Sequence, residues 1–215
     1  MAISITEFRR YVEPYVTGVT PFEVYHNARE ILRDFCTRTK CWQVLLDPVI
    51  TTVGIPEYTL VPPTGTLISQ VEEIFFGDDL VGFAGMDDLA TYFVRNWRTL
   101  TSGPVVKATF FEPDLLRLHY PPDSAYYLYI RAALKPSAMA TLIDVTIPDF
   151  IFEQWATEIS NGILARLYAV PDKPYSNMKL SAERTLRYEQ SVGTVKLRVA
   201  RSFGRQELET IPLYY

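Results

Sequence analysis

Between Pro148 and Pro171 the chain reads DFIFEQWATEISNGILARLYAV, and this stretch constrains the fold more than any other. Phe152, Trp155, Ala156, Ile159, Ile163 and Leu167 recur at spacings of three and four, one face of a helix. Roughly 20 residues of helix span about 30 Å, and an apolar stripe of that length must be covered by other elements. Two neighbouring segments have matching patterns. Thr20 and Pro21 read as an N-cap followed by proline at the first helical position. Tyr25, Ala28, Ile31, Leu32 and Phe35 then form a helix face running to about residue 38, opposite Asn27, Arg29, Glu30, Arg33 and Asp34. A further long helix is expected from Ser176, read as its N-cap, to about residue 200 after the turn PDKPY. Ser4 followed by Glu7 has the form of a capping box and predicts a helix near the N-terminus, ended by Gly18.

Residues 42–136 have a different texture. QVLLDPVITTV, EYTLVPP, LISQVEEIFF, VVKATFFEP, LLRLHYPP and YYLYIRAAL are β-branched or aromatic runs punctuated by Pro, Gly and Asp. Antiparallel strands joined by turns produce this pattern, with a short helix expected at MDDLATYFVRNW, residues 86–97. The expected fold class is therefore α+β. Residues 1–41 and 137–205 should form a helical bundle, 42–136 an inserted antiparallel β-rich region, and 206–215 an extended tail.

A chain of 215 residues can bury a core without cross-links. Its 48% hydrophobic and 21% charged residues are ordinary for a soluble globular protein. No apolar run approaches the roughly 18 residues of a membrane helix, and the N-terminus has the pattern of no secretion signal. With two cysteines, a reduced intracellular protein is the expectation. Net charge is −4 but unevenly placed. Residues 173–205 hold eight basic residues against Glu183 and Glu189, a balance of +6, which leaves −10 for the rest. At 100° per residue, Arg184, Arg187, Arg198, Arg201 and Arg205 fall within about 60° of Arg187. Met178, Ala182, Val192, Val199 and Phe203 lie on the other side. Gly193 and the alternation from Val195 to Val199 leave a strand open as the alternative for that part.

The search for chemistry returns little. Cys36 and Cys41 in RDFCTRTKCW, with His26 and His119, match no usual zinc spacing. C-x4-C is also not the C-x-x-C of a redox pair, so packing is expected there. Ser176 and Lys179 fit S-x-x-K, but neither S-D-N nor K-T-G accompanies them. Gly77-Asp78-Asp79 after an apolar strand could place two carboxylates for a divalent cation, yet Gly-Asp is ordinary hairpin chemistry. No nucleotide-binding glycine loop or nucleophile elbow is present. Neither a cofactor nor a metal is expected. A nucleic-acid-binding module using the basic helix, or a carboxylate- and magnesium-dependent enzyme, stand as alternatives; the acidic whole weighs against the first.

Taken together, AREILRDFCTRTKCW, EYTLVPPTGTLISQVEEIFFGDDL, LRLHYPP and LKPSAMATLIDVTIPDFIFEQWATEISNGILARLYAVPDKPYSNMKLSAE resemble the head-to-tail adaptor, or neck, proteins of short-tailed bacteriophages. The likeness covers about residues 20–190 and is strongest in L-K-P-S, I-P-D-F, I-S-N-G-I-L-A-R-L and P-D-K-P-Y-S-N. It implies a non-enzymatic homo-oligomeric ring, usually of twelve copies, made in the bacterial host cytoplasm and built into the virion. Such a ring binds the portal protein, carries the tail nozzle or tail tube, and continues the channel through which genomic DNA passes at ejection, with no membrane partner. The family has no fixed functional residues to transfer. The arginine stripe is then expected to meet an acidic portal or subunit surface, because a channel that DNA crosses quickly should not grip phosphates. Ile211, Leu213, Tyr214 and Tyr215 give the tail an apolar, aromatic end, expected to dock on the portal or a neighbouring copy by strand addition.

Overall fold

Ser4 caps a single helical turn rather than a long helix. In the computed structural model, which describes residues 2–77, 79–83, 105, 107–139 and 145–201, its hydroxyl accepts from the Thr6 N–H at 3.3 Å. A 3-10 turn over Ile5–Phe8, a four-residue helix α1 (Arg9–Val12) and another 3-10 turn over Glu13–Tyr15 follow. Pro14 lacks the N–H that a continuing helix needs. The preceding residues form a strand, β1 (Ala2–Ser4), paired antiparallel with β10 (Thr146–Pro148). Sequence pattern alone did not suggest this ladder.

The chain divides into two compact units. The first comprises Met1–Trp42 and Pro136–Tyr215. Its helix α2 (Pro21–Thr39) begins with a full capping box: the Thr20 side chain accepts from the Glu23 N–H at 3.3 Å, and the Glu23 carboxylate accepts from the Thr20 N–H at 3.0 Å. It ends where Lys40 turns left-handed, with φ 54°. Helix α3 (Asp149–Tyr168) carries the predicted stripe, and Phe152, Trp155, Ala156, Ile159, Ile163 and Leu167 are all buried. Trp155 departs from helical geometry, with φ −135° and ψ 17°, and kinks α3. Helix α4 (Met178–Ala200) is continuous through Gly193 and Val195–Val199, which excludes the strand alternative. Its N-cap is Asn177 rather than Ser176: the Asn177 side chain accepts from the Leu180 N–H at 3.1 Å. Helices α2 and α4 both pack on α3. The crossing is close at Gly162, where an added Cβ would lie 2.9 Å from Ile31 Cγ2 and 3.0 Å from Tyr188 Cδ2.

The second unit is Gln43–Lys135. Its strands are β2 (Gln43–Leu45), β3 (Val49–Ile50), β4 (Glu57–Thr59), β5 (Thr66–Phe76), β6 (Asp79–Phe83), β7 (Lys107–Phe111), β8 (Leu115–Leu118) and β9 (Tyr127–Pro136). Asp47-Pro48 splits the expected first strand into β2 and β3, since proline cannot donate to a ladder. The sheet order is β2-β9-β5-β6-β7-β8-β4, with β3 also along β9. Gly77, at φ 63°, forms the turn from β5 to β6. Ile68, Ile74, Val81, Leu116, Leu118, Leu128, Ile130 and Ala132 are buried in this unit. One expectation fails: the sheet is not wholly antiparallel, because Gly82 and Phe83 of β6 pair in parallel with Lys107 and Ala108 of β7. Parallel neighbours cannot share a tight turn and need a long connection, which residues 84–106 supply. The helix expected at 86–97 lies outside the described residues.

Candidate interaction surface on the last helix

The arginines of α4 are divided among different tasks. The helix buries Ser181, Tyr188, Val192 and Val195, an arc centred roughly 100° from Arg187 rather than opposite it. Val192 is inward as expected, whereas Met178 and Ala182 are exposed. Arg184 sits at the edge of the buried arc. Its Nη1 donates to Asn161 Oδ1 at 2.6 Å, and its guanidinium lies 5.2 Å from the Tyr15 ring centre. It is part of the packing of its own unit. Arg187 donates to Glu183 Oε1 at 2.6 Å one turn back, and both side chains are about half exposed. Among the described residues Arg198 makes no ion pair, and it lines a groove of about 370 Å3 with Trp155, Glu158, Arg187, Ser191 and Thr194. The Arg201 N–H donates to the Leu197 carbonyl at 3.2 Å as α4 ends. Arg205, Ile211, Leu213, Tyr214 and Tyr215 lie outside the described residues.

The groove runs between the kinked part of α3 and the C-terminal half of α4. Its polar lining sets the guanidiniums of Arg187 and Arg198 beside the Glu158 carboxylate, and Arg198 is the one suited to a carboxylate or amide of a partner. Leu186 and Leu197 stand exposed further round the same helix. They fall outside the apolar periodicity of α4, so only the structure identifies them as surface features.

The inward arc of α4 is held by a polar network. Tyr188 donates its hydroxyl hydrogen to Asp34 Oδ2 at 2.8 Å. Arg38 Nη1 donates to Glu189 Oε1 at 2.8 Å, its Nη2 to Glu189 Oε2, and its Nη1 also reaches Asp34 at 3.3 Å. Burial, reinforced by the Asp34 carboxylate, raises the Tyr188 phenol above its usual range, and the Arg38 hydrogen bond lowers the Glu189 carboxyl. This network fixes the end of α2 against the middle of α4 and so sets which arc of α4 faces outward.

The other chemical candidates form no constellation. Cys36 and Cys41 are both buried free thiols. Their mutual hydrogen bond, with burial behind it, raises the Cys36 thiol, and the same contact lowers Cys41. His26 stacks on Phe22 at 6.3 Å between ring centres. His119 is buried at the end of β8, edge-on to Tyr120. Asp79 pairs with Phe76 in the β5–β6 hairpin, while Asp78 lies outside the described residues. Ser176 donates its N–H to the Lys173 carbonyl at 2.9 Å, as a turn residue. Among the described residues no group of three or more His, Cys, Asp or Glu is placed to hold a metal ion, and no helix is long and apolar enough to cross a membrane. No protein-family model matches the chain, and no curated protein matches it significantly.

Proposed function

We propose that this chain is a head-to-tail adaptor of a short-tailed bacteriophage, a structural component of the virion rather than an enzyme. In this reading twelve copies form a ring on the portal, carry the tail nozzle and continue the DNA channel without sequence-specific binding. Helices from both ends of the chain build a bundle, and residues 42–136 are an insertion in it.

The observation that carries the reading is where the family-like residues sit. The stretch of strongest resemblance, Leu134–Asn177, supplies α3 and the cap of α4. Within it Gly162 admits Ile31 and Tyr188, Asn161 receives Arg184 and Asn177 caps α4. These positions set helix geometry. They support a reading in which this stretch shapes the helices and the outward face of α4 with Arg187 and Arg198 meets an acidic surface of the portal or of the next copy.

The test is native mass spectrometry of the purified chain alone and mixed with a portal ring. A ring that associates with the portal is expected. Arg187→Glu with Arg198→Glu should weaken that association at least about tenfold, the scale of losing a well-placed interfacial charge. Arg184 is left intact, since it packs on Asn161 and Tyr15. A chain that stays monomeric and ignores the portal refutes the proposal.

A further inference from the structure

In the second unit, strand register gathers exposed apolar side chains on one side of the sheet, which is covered only towards Ala133. Cross-strand partners share a face, and Leu45 pairs with Arg131, Ile50 with Tyr127, and Phe75 with Leu80. An ion pair of 2.5 Å between Arg131 and Glu73 puts the outward residues of β5 on that same face. Alternation along each strand then places Leu45, Ile50, Phe75, Leu80, Tyr127 and Tyr129 together, while Ile74, Val81, Leu128 and Ile130 are buried on the reverse side. Exposure is 66% for Leu45, 58% for Ile50, 64% for Leu80, 53% for Tyr127 and 37% for Tyr129. Large apolar groups exposed together on one face mark interaction surfaces, whereas apolar residues scattered singly do not.

We infer that this face receives the apolar end of the C-terminal segment, residues 206–215, from a neighbouring copy; the inference rests on the ring reading above. The segment RQELETIPLYY brings Ile211, Leu213, Tyr214 and Tyr215, aliphatic and aromatic groups matching those of the face. Tyrosines are favoured anchors at such contacts because they bury much area with few rotatable bonds. Pro212 lacks a backbone donor, so the segment is suited to lie across a face by its side chains rather than to enter a ladder. Fourteen residues follow Arg201, which extended reach about 45 Å. The Arg131–Glu73 pair supplies a polar point within the face.

A double-mutant cycle on the full chain tests this. Leu45→Gln with Leu80→Gln alters only outward side chains and should leave the unfolding midpoint unchanged. Tyr214→Ser with Tyr215→Ser alters the segment. Each pair is expected to raise the protein concentration needed for assembly about tenfold, and all four together no more than either pair alone, since both remove one contact. Excess synthetic peptide of residues 206–215 should dissolve the wild-type assembly. Losses that add, or a ring untouched by both pairs, overturn the inference and leave the ring reading standing. A wild-type chain that is monomeric at every concentration and indifferent to the portal overturns both.

Discussion

Gly162 is where single-atom geometry decides the packing of the first unit. In sequence it reads as a weak point in a helix, because glycine lacks the conformational restriction of alanine. In the fold it is the gap through which Ile31 of α2 and Tyr188 of α4 approach α3. Gly162→Ala should lower the urea unfolding midpoint, because overpacking costs about 1–3 kcal/mol and exceeds the helix-propensity gain of about 1 kcal/mol. Gly193→Ala should do the reverse. Nothing lies within 4 Å of a Cβ at that exposed helical position, so the gain of about 0.5–1 kcal/mol stands alone. Equal effects at the two glycines would contradict this account. The arginines of α4 teach a similar lesson. Helical spacing gives their angles, but only Asn161 and Tyr15 reveal that Arg184 belongs to the interior edge.

Among the elements, those governed by local chemistry were legible and those governed by distant pairing were not. Thr20-Pro21 predicts the start of α2 because an N-cap followed by proline at the first helical position is a signal carried by adjacent residues. Pro148 and Pro171 bracket α3 through proline's own backbone restriction, which is equally local. The β1–β10 ladder joins residues far apart in the chain, and the parallel β6–β7 pair depends on a crossover. Neither leaves a periodic mark in its own segment. The start of α2 also has a predictable acid response. Hydrogen bonds from Thr20, then the Lys173 ammonium at 3.0 Å, lower the Glu23 carboxyl from 4.5 to about 2. Its contribution to stability is complete above about pH 4.5 and is lost as pH falls towards 2. Glu23→Gln should therefore flatten that part of the acid-unfolding curve followed by circular dichroism. An unchanged acid limb would show that Glu23 does not take part in it.

At the level of the whole chain, the mixed α+β class follows from the change of texture at about residues 42 and 136, where helical periodicity gives way to short punctuated runs. The surfaces were less legible: the outward leucines of α4 and the apolar side of the sheet become visible only once register and buried arcs are known. The first unit is built from two stretches of chain, Met1–Trp42 and Pro136–Tyr215. Because β2 runs antiparallel to β9 with Gln43 opposite Ala133, the second unit starts within two residues of the register position at which it finishes. Replacing residues 43–135 with a short Gly-Ser turn adds almost no loop-closure penalty. The shortened chain should fold with the far-ultraviolet signature of a helical protein, and loss of that signature would show that the first unit depends on the second. Such a stem makes the β-rich unit a detachable cartridge, open to exchange for another of different surface without redrawing the fold of the first unit.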